Sequence, residues 1–194
     1  VADDTSVDIT ALLSLNAKTT VAVNLNLVDI DNNTLLTGTH SEIKSLFSMA
    51  QNGEFSNLAA NLPITVEGGI SVSQANEINA LTSGAVTATI STGDMATLNG
   101  LEGTGNVYAI TVADASGDMG ELNALNAKTT GVLTVAAVNT LIGTSAELTT
   151  MLNGNALTTN ATGFTGFNAA EAIVLSDAIT RATAETAMAA KYAG

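Results

Sequence analysis

A six-residue segment occurs twice in this chain without a single substitution. It reads Leu-Asn-Ala-Lys-Thr-Thr at residues 15–20 and again at 125–130, and degenerate copies begin at Ile78 and Leu98. The offset between the two identical copies is a whole multiple of a unit of about 22 residues, a length within the range of known structural repeats. Repetition at this spacing is typical of folds in which similar units stack on their neighbours instead of closing around one irregular core.

A second pattern marks the start of short helices. Thr39 is followed three positions later by Glu42, and the same spacing recurs at Thr144 and Glu147. In such a capping box the hydroxyl and the carboxylate each accept a hydrogen bond from the other residue's backbone amide. Apolar residues at helical spacing follow in both places, so the pattern predicts amphipathic helices of about two to three turns.

Runs of β-branched residues lie between the predicted helices and indicate short strands, as at 86–90, 107–112 and 132–135. One strand with one short helix in about 20–25 residues is the size of a leucine-rich-repeat-like unit. We therefore predict an α/β solenoid with a parallel sheet on one side and short helices on the other. The segments 21–36 and 132–142 are each long enough to hold two strands before the next helix.

This prediction treats residues 1–194 as a single repetitive solenoid domain. Residues 51–63 depart from the repeat and contain the only proline, so they are a candidate insertion. Residues 153–166 are rich in Thr, Asn and Gly and are predicted to form a loop. The helix-forming composition of 176–192 predicts a C-terminal capping helix.

Composition limits the function as well as the fold. The net charge of −13 at pH 7 excludes nucleic acid and anionic membrane surfaces as partners, because both are bound through basic groups. No stretch approaches the ~18 apolar residues of a membrane span, so membrane insertion is not expected. Only 12% of the residues are charged, cysteine is absent, and the polar residues are mainly Thr, Ser and Asn. This combination is typical of secreted bacterial repeat proteins and predicts an extracellular or cell-surface location.

The repeated segments resemble those of the very large secreted cell-surface proteins of marine picocyanobacteria. The residues that carry the resemblance are 15–20, 38–43, 121–134 and 141–148. The segments 51–63 and 155–170 depart from the pattern. The resemblance implies an extracellular, calcium-rich setting and a structural or adhesive role, and it implies no catalytic residues.

Calcium is the one cofactor that the sequence suggests. Asp29, Asp31 and Asn33 have the spacing of the first ligands in an EF-hand loop. Thr34 then stands where that loop needs glycine, and His40 stands where it needs glutamate. A polar turn between two strands is therefore the alternative interpretation of this segment.

Asp94 and Asp118 are further candidate calcium ligands, because each follows a Thr-Gly or Ser-Gly pair at a predicted helix start. A carboxylate at that position is also stabilised by the helix dipole, by ~0.3–1 kcal/mol, which explains both residues without a metal. His40 is the only histidine and lies early in a predicted helix. We interpret it as an exposed surface residue, because no partner motif for acid–base catalysis accompanies it.

Three classes of function remain, and the sequence favours the first. This is an extracellular structural or adhesive module that self-associates, head-to-tail or laterally, or belongs to a surface layer or filament with a cell-surface partner. The second is a ligand- or receptor-binding module for a glycan or host surface, on a secreted or phage-borne protein, although few aromatic residues are present for carbohydrate stacking. The third is an enzyme, which would need clustered carboxylates on one face. No such pair stands out, so we predict that the chain is not an enzyme.

Overall fold

The structure, a computed structural model, describes residues 6–25, 34–152, 163–167 and 171–177. Contacts divide the chain into two compact units, Val1–Thr89 and Ile90–Gly194, where the sequence predicts one repetitive domain. Both units combine short helices with parallel strands, so the predicted α/β class with parallel strand pairing is confirmed. The strands that the structure describes form open ladders and no closed barrel.

The first unit contains three helices and six strands among its described residues. In chain order these are β1 (Ser6–Asp8), α1 (Ile9–Asn16), β2 (Val23–Asn24), β3 (Leu35–Gly38), α2 (His40–Gln51), β4 (Phe55–Ser56), β5 (Ile64–Ile70), α3 (Val72–Asn79) and β6 (Val86–Ile90), which reaches the boundary of the unit. Strands β1, β3, β5 and β6 lie side by side in that order, and β2 pairs with β4. Helix α2 packs against both α1 and α3.

The second unit also contains three helices and six strands within the part of it that the structure describes. In chain order these are α4 (Met95–Leu98), β7 (Val107–Thr111), β8 (Ser116–Asp118), α5 (Met119–Asn126), β9 (Leu133–Thr134), β10 (Thr140–Gly143), α6 (Ser145–Leu152), β11 (Phe164–Thr165) and β12 (Ala172–Leu175). They form two parallel ladders, β7-β9-β11 and β8-β10-β12. Helix α5 packs against both α4 and α6.

The same succession of elements occurs in both units. The order β1-α1-β2-β3-α2-β4-β5 of the first unit recurs in the second as β8-α5-β9-β10-α6-β11-β12. The pairing recurs with it, since β1-β3-β5 corresponds to β8-β10-β12 and β2-β4 corresponds to β9-β11. The identical segments 15–20 and 125–130 occupy the same place in this order, at the end of α1 and of α5.

We define a repeat as one helix together with the strands that follow it, up to the next helix. Most repeats hold two strands, as the sequence indicates for 21–36 and 132–142. Ile110 pairs with Leu133, 23 residues on, whereas Val23 pairs with Phe55 and Leu133 with Phe164, 32 and 31 residues on, so the separation of paired strands varies along the chain. The predicted length of about 20–25 residues fits the repeats that begin at α3 and α4, whose next helices start 23 and 24 residues on, whereas the repeats that begin at α1 and α2 span 31 and 32 residues.

The irregular segments predicted from the sequence have different outcomes. Residues 51–63, the candidate insertion, contain β4, which pairs in parallel with β2. The predicted loop 153–166 overlaps the described residues only at 163–166, where β11 lies. The predicted capping helix at 176–192 lies outside the described residues apart from its first two positions.

Local sequence accounts for the ends of the helices. At the start of α2 the Thr39 hydroxyl accepts a hydrogen bond from the Glu42 amide at 3.4 Å, and Glu42 Oε2 accepts one from the Thr39 amide at 2.8 Å. Thr144 and Glu147 form the same capping box at α6, with distances of 3.3 and 2.7 Å. Beyond the end of α2, Gly53 has a φ of 82°, a left-handed conformation that glycine adopts without strain.

The interior is built mainly from aliphatic side chains. The apolar positions predicted to face inward are buried in both capped helices; they are Ile43, Leu46 and Phe47 in α2 and Leu148, Met151 and Leu152 in α6. Two larger rings, those of Tyr108 and Phe164, are fully buried in the second unit. Burial of these faces supplies the main favourable free energy for packing the helices onto the strands.

Candidate functional site

The predicted calcium ligands fall into two groups. Asp29, Asp31 and Asn33 lie outside the described residues. Asp94 is the N-cap of α4 and accepts a hydrogen bond from the Thr97 amide at 2.8 Å. Asp118 is the N-cap of α5 and accepts one from the amide of the residue three positions on, at 3.0 Å.

Both described aspartates therefore serve as caps of their own helices. Hydrogen bonds from the Thr97 side chain and amide hold the pKa of Asp94 below its usual value. Across the part of the chain that the structure describes, no group of three His, Cys, Asp or Glu residues is arranged to hold a metal ion.

His40 takes part in a polar cluster between two helices. Its Nε2 lies 3.1 Å from Oε2 of Glu77 on α3, and Nζ of Lys44 lies 2.7 Å from the same oxygen. Contacts with Lys44 first and His40 second hold the pKa of Glu77 below its usual value. The His40 side chain is 16% exposed, so it is less accessible than the sequence suggests. The cluster joins α2 to α3.

Carboxylates also bind the starts of helices that precede them in the chain. In each of three cases the acceptor comes from 19 to 32 residues further on. The pairs are the Thr10 hydroxyl with Glu42 at 2.7 Å, the Met95 amide with Asp114 at 2.7 Å, and the Ser145 amide with Asp177 at 2.9 Å. These bonds place negative charge at the positive end of a helix, where it is stabilised.

A short turn between a helix and the next strand has the same hydrogen bond in three repeats. We call it the threonine turn; its copies are Thr19-Thr20-Val21 after α1, Thr82-Ser83-Gly84 after α3 and Thr129-Thr130-Gly131 after α5. In each copy the hydroxyl of the first threonine accepts a hydrogen bond from the amide two positions on, at 3.1, 2.9 and 2.8 Å respectively.

In the second and third turns this hydroxyl also reaches the preceding repeat. Oγ1 of Thr82 donates to the Leu62 carbonyl at 2.7 Å. Oγ1 of Thr129 donates to the Tyr108 carbonyl at 2.9 Å and accepts from the Tyr108 amide at 2.8 Å. Both threonines are 8% exposed. The side chain therefore connects the backbones of two successive repeats in a place from which water is almost excluded.

We call the second and third turns the covered copies, because the preceding repeat lies against them. In both, the glycine lies directly against the backbone of that repeat. A Cβ atom at Gly84 would collide with the carbonyl oxygen of Leu62, and one at Gly131 with the carbonyl oxygen of Tyr108. Neither contact can be relieved by moving a flexible side chain, because the obstructing atoms belong to the backbone. The absence of a side chain at these two positions is thus a condition for the close approach of successive repeats.

The first turn has the same local geometry in a different environment. Its Thr19 is exposed, and Val21 stands where the other two copies have glycine. The side chain of Val21 is 73% exposed. Leu15 is 43% exposed, whereas its counterpart Leu125 is completely buried. In the strand that follows, Val23 and Leu133 are both buried, so the two copies differ in the turn and at the end of the helix.

Two open grooves lie beside the turns. One, of about 430 Å³, lies between α1 and the end of α2 and includes Asn16, Met49 and Glu54. The other, of about 530 Å³, lies between α5 and α6 and includes Asn126 and Phe164. Among the described residues that line it, the first groove has one titratable side chain, that of Glu54, which accepts a hydrogen bond from Asn16 at 2.7 Å. The described residues that line the second groove include no titratable side chain.

Sequence reasoning missed the threonine turns and the cluster around Glu77. A signal for the turns was present, since Thr-Thr-Gly and Thr-Ser-Gly recur at the same distance after a helix.

No helix in the described ranges is both long enough and apolar enough to cross a bilayer. No protein-family model, curated protein or solved structure matches the chain.

Proposed function

We propose that the chain is an extracellular structural or adhesive module, built as an α/β solenoid, that self-associates or forms part of a surface layer or filament. The observation that carries the proposal is the repeated order of elements within each unit, in which strands of neighbouring repeats pair in parallel. A fold in which repeats contact mainly their neighbours offers long regular surfaces and suits a structural role.

The chemistry of the candidate residues supports a role without catalysis. Asp94 and Asp118 cap helices, and the polar contacts of His40 join α2 to α3. These interactions are structural and leave no described acid–base pair at a groove. The resemblance of the repeated segments to those of secreted picocyanobacterial surface proteins supports the extracellular location.

An exposed apolar strip in the second unit supports lateral association. Ile142 of β10 is in register with Val174 of β12, and the two side chains are 40% and 48% exposed. Neighbouring exposed apolar side chains on a regular ladder are a typical site of contact between proteins. A second copy of the chain could bury this strip without disturbing the fold.

Sedimentation velocity over a wide concentration range, with electron microscopy of the same samples, tests this proposal. We expect larger species that grow with concentration, and fewer of them when Ile142 and Val174 are both replaced by threonine. Val107→Thr is the matched control, because Val107 is also 40% exposed but lies on the other ladder of this unit. A strict monomer at high concentration, with and without calcium, would contradict the proposal.

The same experiment tests whether the chain has a specific calcium site. A specific site predicts that calcium changes association or thermal stability more than magnesium does at equal ionic strength. Equal effects of the two ions would indicate only screening of the net charge of −13.

A ligand- or receptor-binding module is the second candidate. The two grooves are the observation in its favour, because each is lined in part by asparagine and threonine side chains that could bind the polar groups of a glycan or a host surface. Binding on a glycan array that is lost on Asn16→Ala, without a change in association, would favour this candidate over the first.

A further inference from the structure

We infer that Val21 closes the outer side of the first threonine turn to any further repeat, so that self-association of this chain does not continue the stack through that surface. The inference rests on the proposed function, because it concerns which surface takes part in association. It follows from comparing one sequence motif in two covered copies and one uncovered copy.

The covered copies define what a stacking repeat needs. At Gly131 the backbone of the preceding repeat comes so close that a single Cβ atom would collide with the Tyr108 carbonyl. The same holds at Gly84 with the Leu62 carbonyl. At this separation the threonine two positions earlier reaches the incoming backbone with its hydroxyl. A preceding repeat that lies close enough for its backbone to bind the threonine hydroxyl is therefore also too close for a side chain at the glycine position.

The first turn has the threonine of the covered copies but not their glycine. Thr19 has its hydroxyl in the same local arrangement, with the Val21 amide donating to it at 3.1 Å. Val21 adds a Cβ and two methyl groups at the position where the other copies tolerate no side chain. A repeat that approached in the usual register would therefore meet Val21 before its backbone came within reach of Thr19.

This arrangement explains why a segment identical to a buried one can remain exposed. Residues 15–20 are identical to residues 125–130, and Val21 is the first position after them at which the two copies differ. Natural sheets use charged residues, proline or bulges at exposed edges to prevent unwanted strand addition. Val21 performs that role here, and it leaves lateral contacts as the route of association.

The test compares Val21→Gly with Val21→Ala by sedimentation velocity. Alanine removes the methyl groups but keeps the Cβ atom that the covered copies exclude. We expect the wild type and Val21→Ala to associate alike, and Val21→Gly to reach half-association at a concentration roughly tenfold lower or less. Equal behaviour of the glycine and alanine variants, both folded by circular dichroism, would overturn the inference.

A second substitution identifies the surface that is used. Thr19→Val in the Val21→Gly background removes the hydroxyl that an incoming repeat would bind, and it should abolish the gain. Thr19→Val alone should leave wild-type association unchanged. A loss of association in that single variant would show that the wild type already uses this surface, and the inference would be wrong.

The steric premise has its own test in the covered copy. Gly131→Val should abolish hydrogen-exchange protection of the Tyr108 amide, which is bonded to Thr129. Retained protection would refute the premise whether or not Val21→Gly folds. A wild-type chain that does not associate at all would count against the proposed function alone, because the comparison of glycine with alanine at position 21 needs no association of the wild type.

Discussion

The same threonine hydroxyl has different energetic consequences in the two identical segments. Around Thr129 the carbonyl and amide of Tyr108 are both bound by this side chain, and water has little access. If the hydroxyl is removed, these two buried backbone groups lose a partner. Thr19 is exposed, so water can replace any bond that its hydroxyl makes.

We therefore expect Thr129→Val to lower the free energy of unfolding by about 1–3 kcal/mol, the cost of leaving buried polar groups unsatisfied. Thr19→Val, the matched control in an identical sequence, should change it by less than about 0.5 kcal/mol. Urea denaturation measures both. Equal losses in the two variants would mean that the hydroxyl acts within its own turn and not between repeats.

Tyr108 offers a second test at the level of one side chain. Its ring is fully buried, its hydroxyl has no hydrogen-bond partner in the described structure, and burial raises its pKa to about 12 from a usual value of 10.0. Because the folded state binds this proton more tightly, its contribution to stability is complete below pH 10.0 and is lost as the pH rises towards 12.

Tyr108→Phe should therefore be at least as stable as the wild type at pH 7, since it removes an unsatisfied buried hydroxyl. It should also lose less stability than the wild type between pH 10.0 and 12. Thermal unfolding as a function of pH measures both effects. A clear loss of stability at pH 7 would indicate that the hydroxyl has a partner in the folded protein.

At the level of elements, the glycine positions decide whether successive repeats can pack. Gly131→Ala and Gly84→Ala should each destabilise the protein by about 1–3 kcal/mol or more, because the added methyl group meets backbone that cannot move away. Gly93→Ala is the control: its Cβ would lie 3.5 Å from the nearest heavy atom, an ordinary contact. Chemical denaturation of the three variants should separate the first two from the third.

The helices were predictable because their signals are local. The capping boxes at Thr39 and Thr144 use residues three positions apart, and the structure confirms both. A third box at Ser71 and Gln74 obeys the same rule, with bonds of 2.9 and 3.2 Å, and could have been found in the same way.

The contacts between elements were not predictable in the same way. The partners of Glu77 lie 33 and 37 residues away, and nothing in the sequence near either end specifies the pairing. The short strand β4 was not predicted for a similar reason, since a strand of two residues is recognised by the strand with which it pairs. Likewise, the exposed Val21 could be interpreted only by comparison with Gly84 and Gly131 in the covered copies.

At the scale of the whole molecule, charge has two opposing effects. A net charge of −13 at pH 7 makes the folded chain repel itself, and this repulsion weakens as the pH falls towards the pI of about 4.1. Protonation of the carboxylates that bind helix starts has the opposite effect, because it weakens their hydrogen bonds and lowers the stability of the fold as the pH falls. Hydrogen bonds from Thr10 and from Ser145 are the main reasons that the pKa values of Glu42 and Asp177 lie below their usual values.

These two effects predict a stability maximum at mildly acidic pH. A carboxylate whose pKa is lowered in the folded state contributes stability that is complete above its usual value, 4.5 for Glu42 and 3.8 for Asp177, and is lost as the pH falls through the folded value. Urea midpoints should therefore rise or stay level from pH 7 to about 5 as repulsion is relieved, and then fall steeply below 3.8.

Salt separates the two contributions. At pH 7, added sodium chloride should raise the urea midpoint, because it screens long-range repulsion more than it weakens hydrogen-bonded contacts at the helix starts. Glu42→Gln should reduce the loss of stability at acid pH, since it removes one titrating group, whereas Glu67→Gln is the control at an exposed carboxylate outside these helix starts. A midpoint that falls steadily from pH 7 downwards, or that salt lowers at pH 7, would mean that the described carboxylate contacts outweigh the repulsion already at neutral pH.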